Sequence, residues 1–159
     1  MAEIQREPVP RVDTGELDVA LAFLEFQRHC VLKKAEGLSD EQLRRPMVAS
    51  GTSILWLIRH LAGCEREWFG RQFAGGEPAE ESEPADPPAA EVIAEYRAAI
   101  VASDRIIRDA GDPEALTAIL IDGVRKTLRW VLAHMTTETA RHAGHADIIR
   151  EQIDGATGR

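Results

Sequence analysis

One stretch near the C-terminus, LRWVLAHMTTETARHAGHADIIRE, carries four side chains with lone pairs, His134, Glu138, His142 and His145, at spacings of four, four and three residues. Those spacings belong to an α-helix. With Leu128 set at zero on a helical wheel, Leu128, Val131, Leu132, Met135, Ala146 and Ile149 form an apolar arc centred near about 340°. Glu138 then lies at about 280°, on the border of the arc, and His142 at about 320°, inside it. His134 and His145 fall on the flank, with Arg141 further towards solvent. A carboxylate facing a core without a partner is costly, or is neutralised by a pKa shift. A divalent metal ion supplies such a partner, because Glu oxygen and neutral His nitrogen are both ordinary ligands. The competing reading of this helix is a wet edge, with Glu138 paired to an arginine and the histidines solvated.

A second stretch, SGTSILWLIRHLAGCEREWFGRQF, shifts that balance. His60 falls next to Leu57 and Cys64, at the edge of an apolar arc that includes Ile54, Leu61 and Trp68. Alone, such a histidine is more often a satisfied core residue. Together with Glu138 and His142 from a facing helix it completes a two-His, one-carboxylate set. Three protein ligands leave a coordination position open, the pattern of a catalytic site. Cys64, one turn after His60, makes a competing ligand pair, ranked lower because small buried cysteines are common in cores without any chemistry. Trp56 and Trp68 are expected to pack, and Arg59, Arg66, Arg71 and Arg141 to be solvated.

Helices must position these groups. Leu17, Leu21, Leu24, Val31 and Leu32 mark a first helix from about Leu17 to Glu36, stopped by Gly37. Ser39, with Gln42 three residues on, reads as the capping box of a short helical turn. The second long helix runs from about Ser53 to Phe73. AGGEPAEESEPADPP is the one compositional break and reads as a solvated crossover loop over about 74–88. A third helix follows Pro88 and ends near Ala110. LTAIL is ambiguous between a short strand and a plain connection, and Asp122-Gly123 marks a turn. The fourth helix spans about Lys126 to Ile153 and stops at Asp154-Gly155. The pattern predicts an all-α, four-helix bundle over residues 14–159, preceded by a polar arm at 1–13, with sites built between facing helices.

Composition sets the outer limits. The 159 residues suit one domain with a real core, and 44% apolar with 29% charged residues is ordinary for a globular protein. A net charge of −8 argues against a nucleic-acid partner, whose affinity comes largely from neutralised phosphates. No basic start with an apolar run suggests a signal peptide, and no stretch approaches a membrane span. A cytoplasmic protein with free thiols at Cys30 and Cys64 is the expectation.

At LWLIRHLAG and ETARHAGH the chain resembles the DinB-like superfamily, and the resemblance extends over nearly the whole length. It looks closest to an actinobacterial-type branch of uncharacterised function. The superfamily implies an up-down-down-up bundle with a long crossover between helices two and three, and a divalent metal held from helices two and four. The first ligand position of the fourth helix, usually His there, is Glu138 here. That His–Glu–His set is similar to the metal-binding domain of the mycothiol-dependent maleylpyruvate isomerases, and implies His60, Glu138 and His142 as ligands. Zinc ranks first, with nickel or iron as alternatives.

Two functions follow from the resemblance. One is a metal-dependent S-transferase that joins a low-molecular-weight thiol, of the mycothiol, bacillithiol or glutathione type, to a small electrophile. A thiol entering the open position would lose its proton to become the nucleophile. His134 or His145 would then support a ligand or carry a proton, unless both are merely solvated. The other is a non-catalytic metal-binding or stress-response module. A homodimer is expected in either case, with no nucleic acid or membrane as partner.

Overall fold

The computed structural model describes residues 7–78 and 86–158. The expected N-terminal arm and crossover loop therefore lie partly outside the described residues. Helix α1 spans Glu16–Lys33, with Glu16 and Asp18 at its N-terminal end and Lys33 in its last turn, which suits the helix dipole. The short α2, Asp40–Arg44, starts at the expected capping box: Ser39 Oγ accepts from the Gln42 N–H at 3.2 Å, and Gln42 Oε1 from the Ser39 N–H at 2.9 Å. Helix α3 spans Ile54–Glu65, capped by Ser53, whose Oγ accepts from the Trp56 N–H at 3.1 Å. Helix α4, Ala89–Ala110, follows Pro88 and stops at Gly111, which takes the left-handed φ of 61°. Helix α5, Leu128–Asp154, is capped by Thr127 and stops at Gly155.

Two core regions fix the topology. Leu21 and Leu24 from the start of α1, Ile107 from the end of α4 and Leu128 to Met135 from the start of α5 share one region with Phe69 and Phe73. Phe26 to Leu32, Ile54 to Leu61, Val92, Tyr96 and Ala143 to Ile149 share the other. So α1 and α5 run one way, and α3 and α4 the other, in the expected up-down-down-up order. Leu24, Val31, Ile58 and Leu132 are at most 1% exposed, and each such side chain contributes roughly 1.5–3 kcal/mol. Among the described residues no helix is long and apolar enough to cross a membrane.

The second long helix departs from a regular α-helix over its last third. Residues Arg66–Phe73 form π-helical turns, and the Ala74 N–H reaches back five residues to the Phe69 carbonyl at 3.0 Å. The next connection caps this end. Ala118 and Ile119 donate their N–H groups to the carbonyls of Phe73 and Gln72 at 3.0 and 3.1 Å. LTAIL is thus neither helix nor full strand, but one limb of a small hairpin. The Thr117 N–H donates to the Lys126 carbonyl at 2.8 Å, Ile121 pairs with Val124, and Asp122 and Gly123 turn the chain with φ of 51° and 81°. The hairpin leads directly into α5.

An ionic group crosses the bundle where α3 passes into its π-helical turns. Arg28 from α1 grips Glu65 with two hydrogen bonds of 2.7 Å and Asp104 of α4 with a third of 2.7 Å. Arg28 and Glu65 are each 1% exposed. Such a pair contributes little net stability against an apolar replacement, but it penalises any packing that separates the two charges.

Candidate metal centre

The two halves of the centre come from α3 and α5. Leu57, Ile58 and Leu61 are buried, which turns His60 to the edge of α3's core face. On α5 the buried Met135, Thr139 and Ala143 place Glu138 and His142 beside the core face, towards α3. Thr139 satisfies its hydroxyl within the helix by donating to the Met135 carbonyl at 2.7 Å, so it does not compete for the carboxylate.

The side chains converge. Glu138 Oε1 accepts from His60 Nε2 at 3.0 Å and from His142 Nε2 at 3.0 Å. The two imidazole rings meet edge to face, with centroids 4.8 Å apart. One ligand atom from each of His60, Glu138 and His142 lies within 4.8 Å of the others. Oxygen and nitrogen ligands about 2.0–2.1 Å from a tetrahedral ion sit roughly 3.3 Å from one another, close to the two short separations here. Hard carboxylate oxygen with two imidazole nitrogens is a donor set that suits zinc, nickel or iron. The residues therefore fit a divalent ion.

The electrostatics agree with that use. Hydrogen bonds from His60, then from His142, hold the Glu138 carboxyl below its ordinary range, against the opposing effect of burial. Burial pushes the His142 imidazole below its ordinary value, against Glu138, so the ring is neutral at neutral pH; moving its proton from Nε2 to Nδ1 would free the Nε2 lone pair. The side chains of His60, Glu138 and His142 are 34%, 22% and 12% exposed, so the cluster is reached from solvent on one side.

The other predicted residues separate. His145 touches the centre, with its Nδ1 3.3 Å from Nδ1 of His142. His134 lies instead against Trp68, with centroids 4.2 Å apart, and stacks on Trp130. No described contact joins it to a ligand. Cys64 Sγ is 3.4 Å from His60 Nε2, but Cys64 does not join the set of mutually close ligand atoms. Burial, then the nearby Glu138, pushes its thiol up to about 11. Cys30 is buried and free.

Trp56 departs from the packing role expected of it. It is 51% exposed and stacks parallel on His60 at a centroid distance of 5.2 Å. Sequence reasoning also passed over Arg28 and Glu65. A signal existed for the first: Arg28 stands on the apolar stripe between Leu24 and Val31, where a cation needs a buried partner.

The mycothiol-S-transferase family matches the chain over residues 19–155. No curated protein matches it.

Proposed function

This chain belongs to the mycothiol-S-transferase family of DinB-like bundles, and on that premise we propose that it is a metal-dependent enzyme joining a low-molecular-weight thiol to a small electrophile. The observation that carries this reading is the convergence of His60, Glu138 and His142, of which His60 also lines an open depression of about 370 Å³. Such a volume is in the range of small-molecule sites.

In this reading His60 and His142 would hold a divalent ion through Nε2 and Glu138 through a carboxylate oxygen. The chemistry such an ion would supply is a lowered pKa for a coordinating thiol, and hence a thiolate at neutral pH. The chain's own residues do the rest. His142, bound through Nε2, carries its proton on Nδ1 and donates it to His145 Nδ1, which fixes the ring. Cys64, with its thiol held protonated, does not compete as nucleophile. Trp56 shields His60 from water on its stacked face. The new bond joins the thiol sulfur to the electrophilic carbon, the thiol's proton passes to solvent, and the displaced group leaves with the electron pair of its bond.

Zinc is the metal proposed, and mycothiol the thiol, by family. The test is element analysis of purified wild type and of a His60→Ala/His142→Ala double variant, followed by thiol consumption with a small electrophile. Wild type is expected to hold about one ion per chain and the variant almost none. Equal metal content in the two would sink the reading. Metal-loaded protein inert towards every thiol tried would leave a non-catalytic metal-binding module.

A further inference from the structure

The depression beside the metal centre has a second chemical character that the transfer reaction does not use. Arg59, the residue before His60, lines it. Arg59 also lines an adjoining depression of about 320 Å³, with Trp56 common to both. It is half-buried. Among the described residues it has no ion pair or hydrogen bond. The neighbouring cations are engaged: Arg71 donates to Glu67 at 2.8 Å, and Arg44 pairs with Asp40 and Asp86. Glu67, the carboxylate lining the same depression, is satisfied by Arg71 and by the Gln72 amide at 2.7 Å. A guanidinium unpaired among the described residues, in a chain of net charge −8, is the candidate anion site in an otherwise repulsive field.

The remaining walls are flat and apolar. Trp56 gives one face to His60 and leaves the other open, and Trp68 stands further along the depression. Between them lies Gly63, in the interior of α3. A Cβ on Gly63 would meet nothing within 4 Å, so packing does not require glycine there. Glycine in a helix interior is about 1 kcal/mol less favourable than alanine. What it provides here is an unobstructed floor.

We propose that this depression takes the acceptor as a planar apolar molecule carrying an anionic group, with Arg59 binding the anion and the tryptophans the plane. That this molecule is the acceptor of the transfer rests on the transferase reading; the anion site does not. Arg59 is then a specificity-determining residue, and the acceptor approaches the centre from the α3 side.

The experiment is calorimetric titration of 2-naphthoate and of its neutral analogue 2-naphthamide, into metal-free and zinc-loaded protein. The acid is expected to bind roughly tenfold more tightly than the amide in both forms, since one charged hydrogen-bonded pair has about that effect. Arg59→Gln should abolish the preference without weakening the amide, Arg59→Lys should retain part of it, and Trp56→Ala should weaken both ligands. Equal affinities in wild type, or a preference intact in Arg59→Gln, would overturn the proposal. A preference confined to the zinc-loaded form would assign the anion to the metal and overturn it too. If Arg59→Gln weakens the thiol and spares the naphthoate, the site belongs to the thiol and the proposal fails. Absence of any thiol conjugation, with the anion preference present, would remove the transferase reading and leave the anion site standing.

Discussion

His142 and His145 face each other through their Nδ1 atoms, 3.3 Å apart. Only one of the two nitrogens can hold the shared proton, so the tautomer of one ring dictates that of the other. A metal on His142 Nε2 requires the proton on Nδ1, and His145 supplies its acceptor. Partners of this kind typically alter metal affinity 10- to 100-fold. His145→Ala should therefore weaken zinc binding by about tenfold or more in a chelator competition, with the helical content unchanged. Unaltered affinity would reduce His145 to an exposed neighbour.

Glu138→Gln separates ligand from structural residue. Gln keeps the shape and loses the ligand charge. Melting temperatures with and without chelator should differ for wild type and coincide for the variant, because bound metal stabilises the native state by mass action. The metal-free variant should melt close to metal-free wild type, since the Gln amide oxygen can accept the hydrogen bonds that Glu138 Oε1 accepts from His60 and His142. Equal chelator shifts in the two proteins would take Glu138 out of the centre.

The metal-free protein should lose stability on mild acidification. His142 has its native pKa below the ordinary 6.5, so beneath that pH the unfolded chain binds a proton that the native state refuses. Stability is thus complete above about 6.5 and declines as pH falls towards the native value. Glu138, held below 4.5, adds a further loss in more acid solution, as do Asp40 and Asp154, held below 3.8. Melting curves in chelator across pH 4 to 8 would show the first decline in wild type and a flatter one in His142→Gln. The same slope in both would contradict the assignment.

The buried pair between α1 and α3 should respond asymmetrically. Arg28→Ala leaves Glu65 charged and enclosed, and should cost about 3–5 kcal/mol in chemical denaturation. Arg28→Met with Glu65→Leu should recover most of that loss, because Asp104 is 21% exposed and can turn to water. A double variant as unstable as the single would mean that the pair itself, and not the stranded charge, carries the stability.

The parts of the fold that rest on local rules could be read in advance. Ser39 and Gln42, Ser53, Thr127, Gly111 and Gly155 cap or stop helices within a few residues of the expected places, because capping is a near-neighbour interaction. The juxtaposition of His60 with Glu138 was suggested by two helical wheels, since each residue sits at the edge of an apolar arc and the arcs must meet. The π-helical turns at Arg66–Phe73 were not legible. They depend on carbonyl partners from Ala118 and Ile119, more than forty residues away in the chain. The exposure of Trp56 follows from its place on α3, off the buried stripe of Ile54, Leu57, Ile58 and Leu61 and four residues before His60, on which it stacks.

The hairpin after α4 has a mechanical consequence for the centre. It is stitched to the end of the α3 arm at Gln72 and Phe73, and it passes straight into the first turn of α5. The two ligand-bearing rods are thus riveted together at one end, like the legs of a pair of dividers. That pivot holds the backbones that carry His60 and Glu138 at one end, and the two side chains meet at 3.0 Å. In the metal reading, an ion would meet a pair of groups already close together. Its capture should be limited by the shedding of its own water and not by any rearrangement of the bundle.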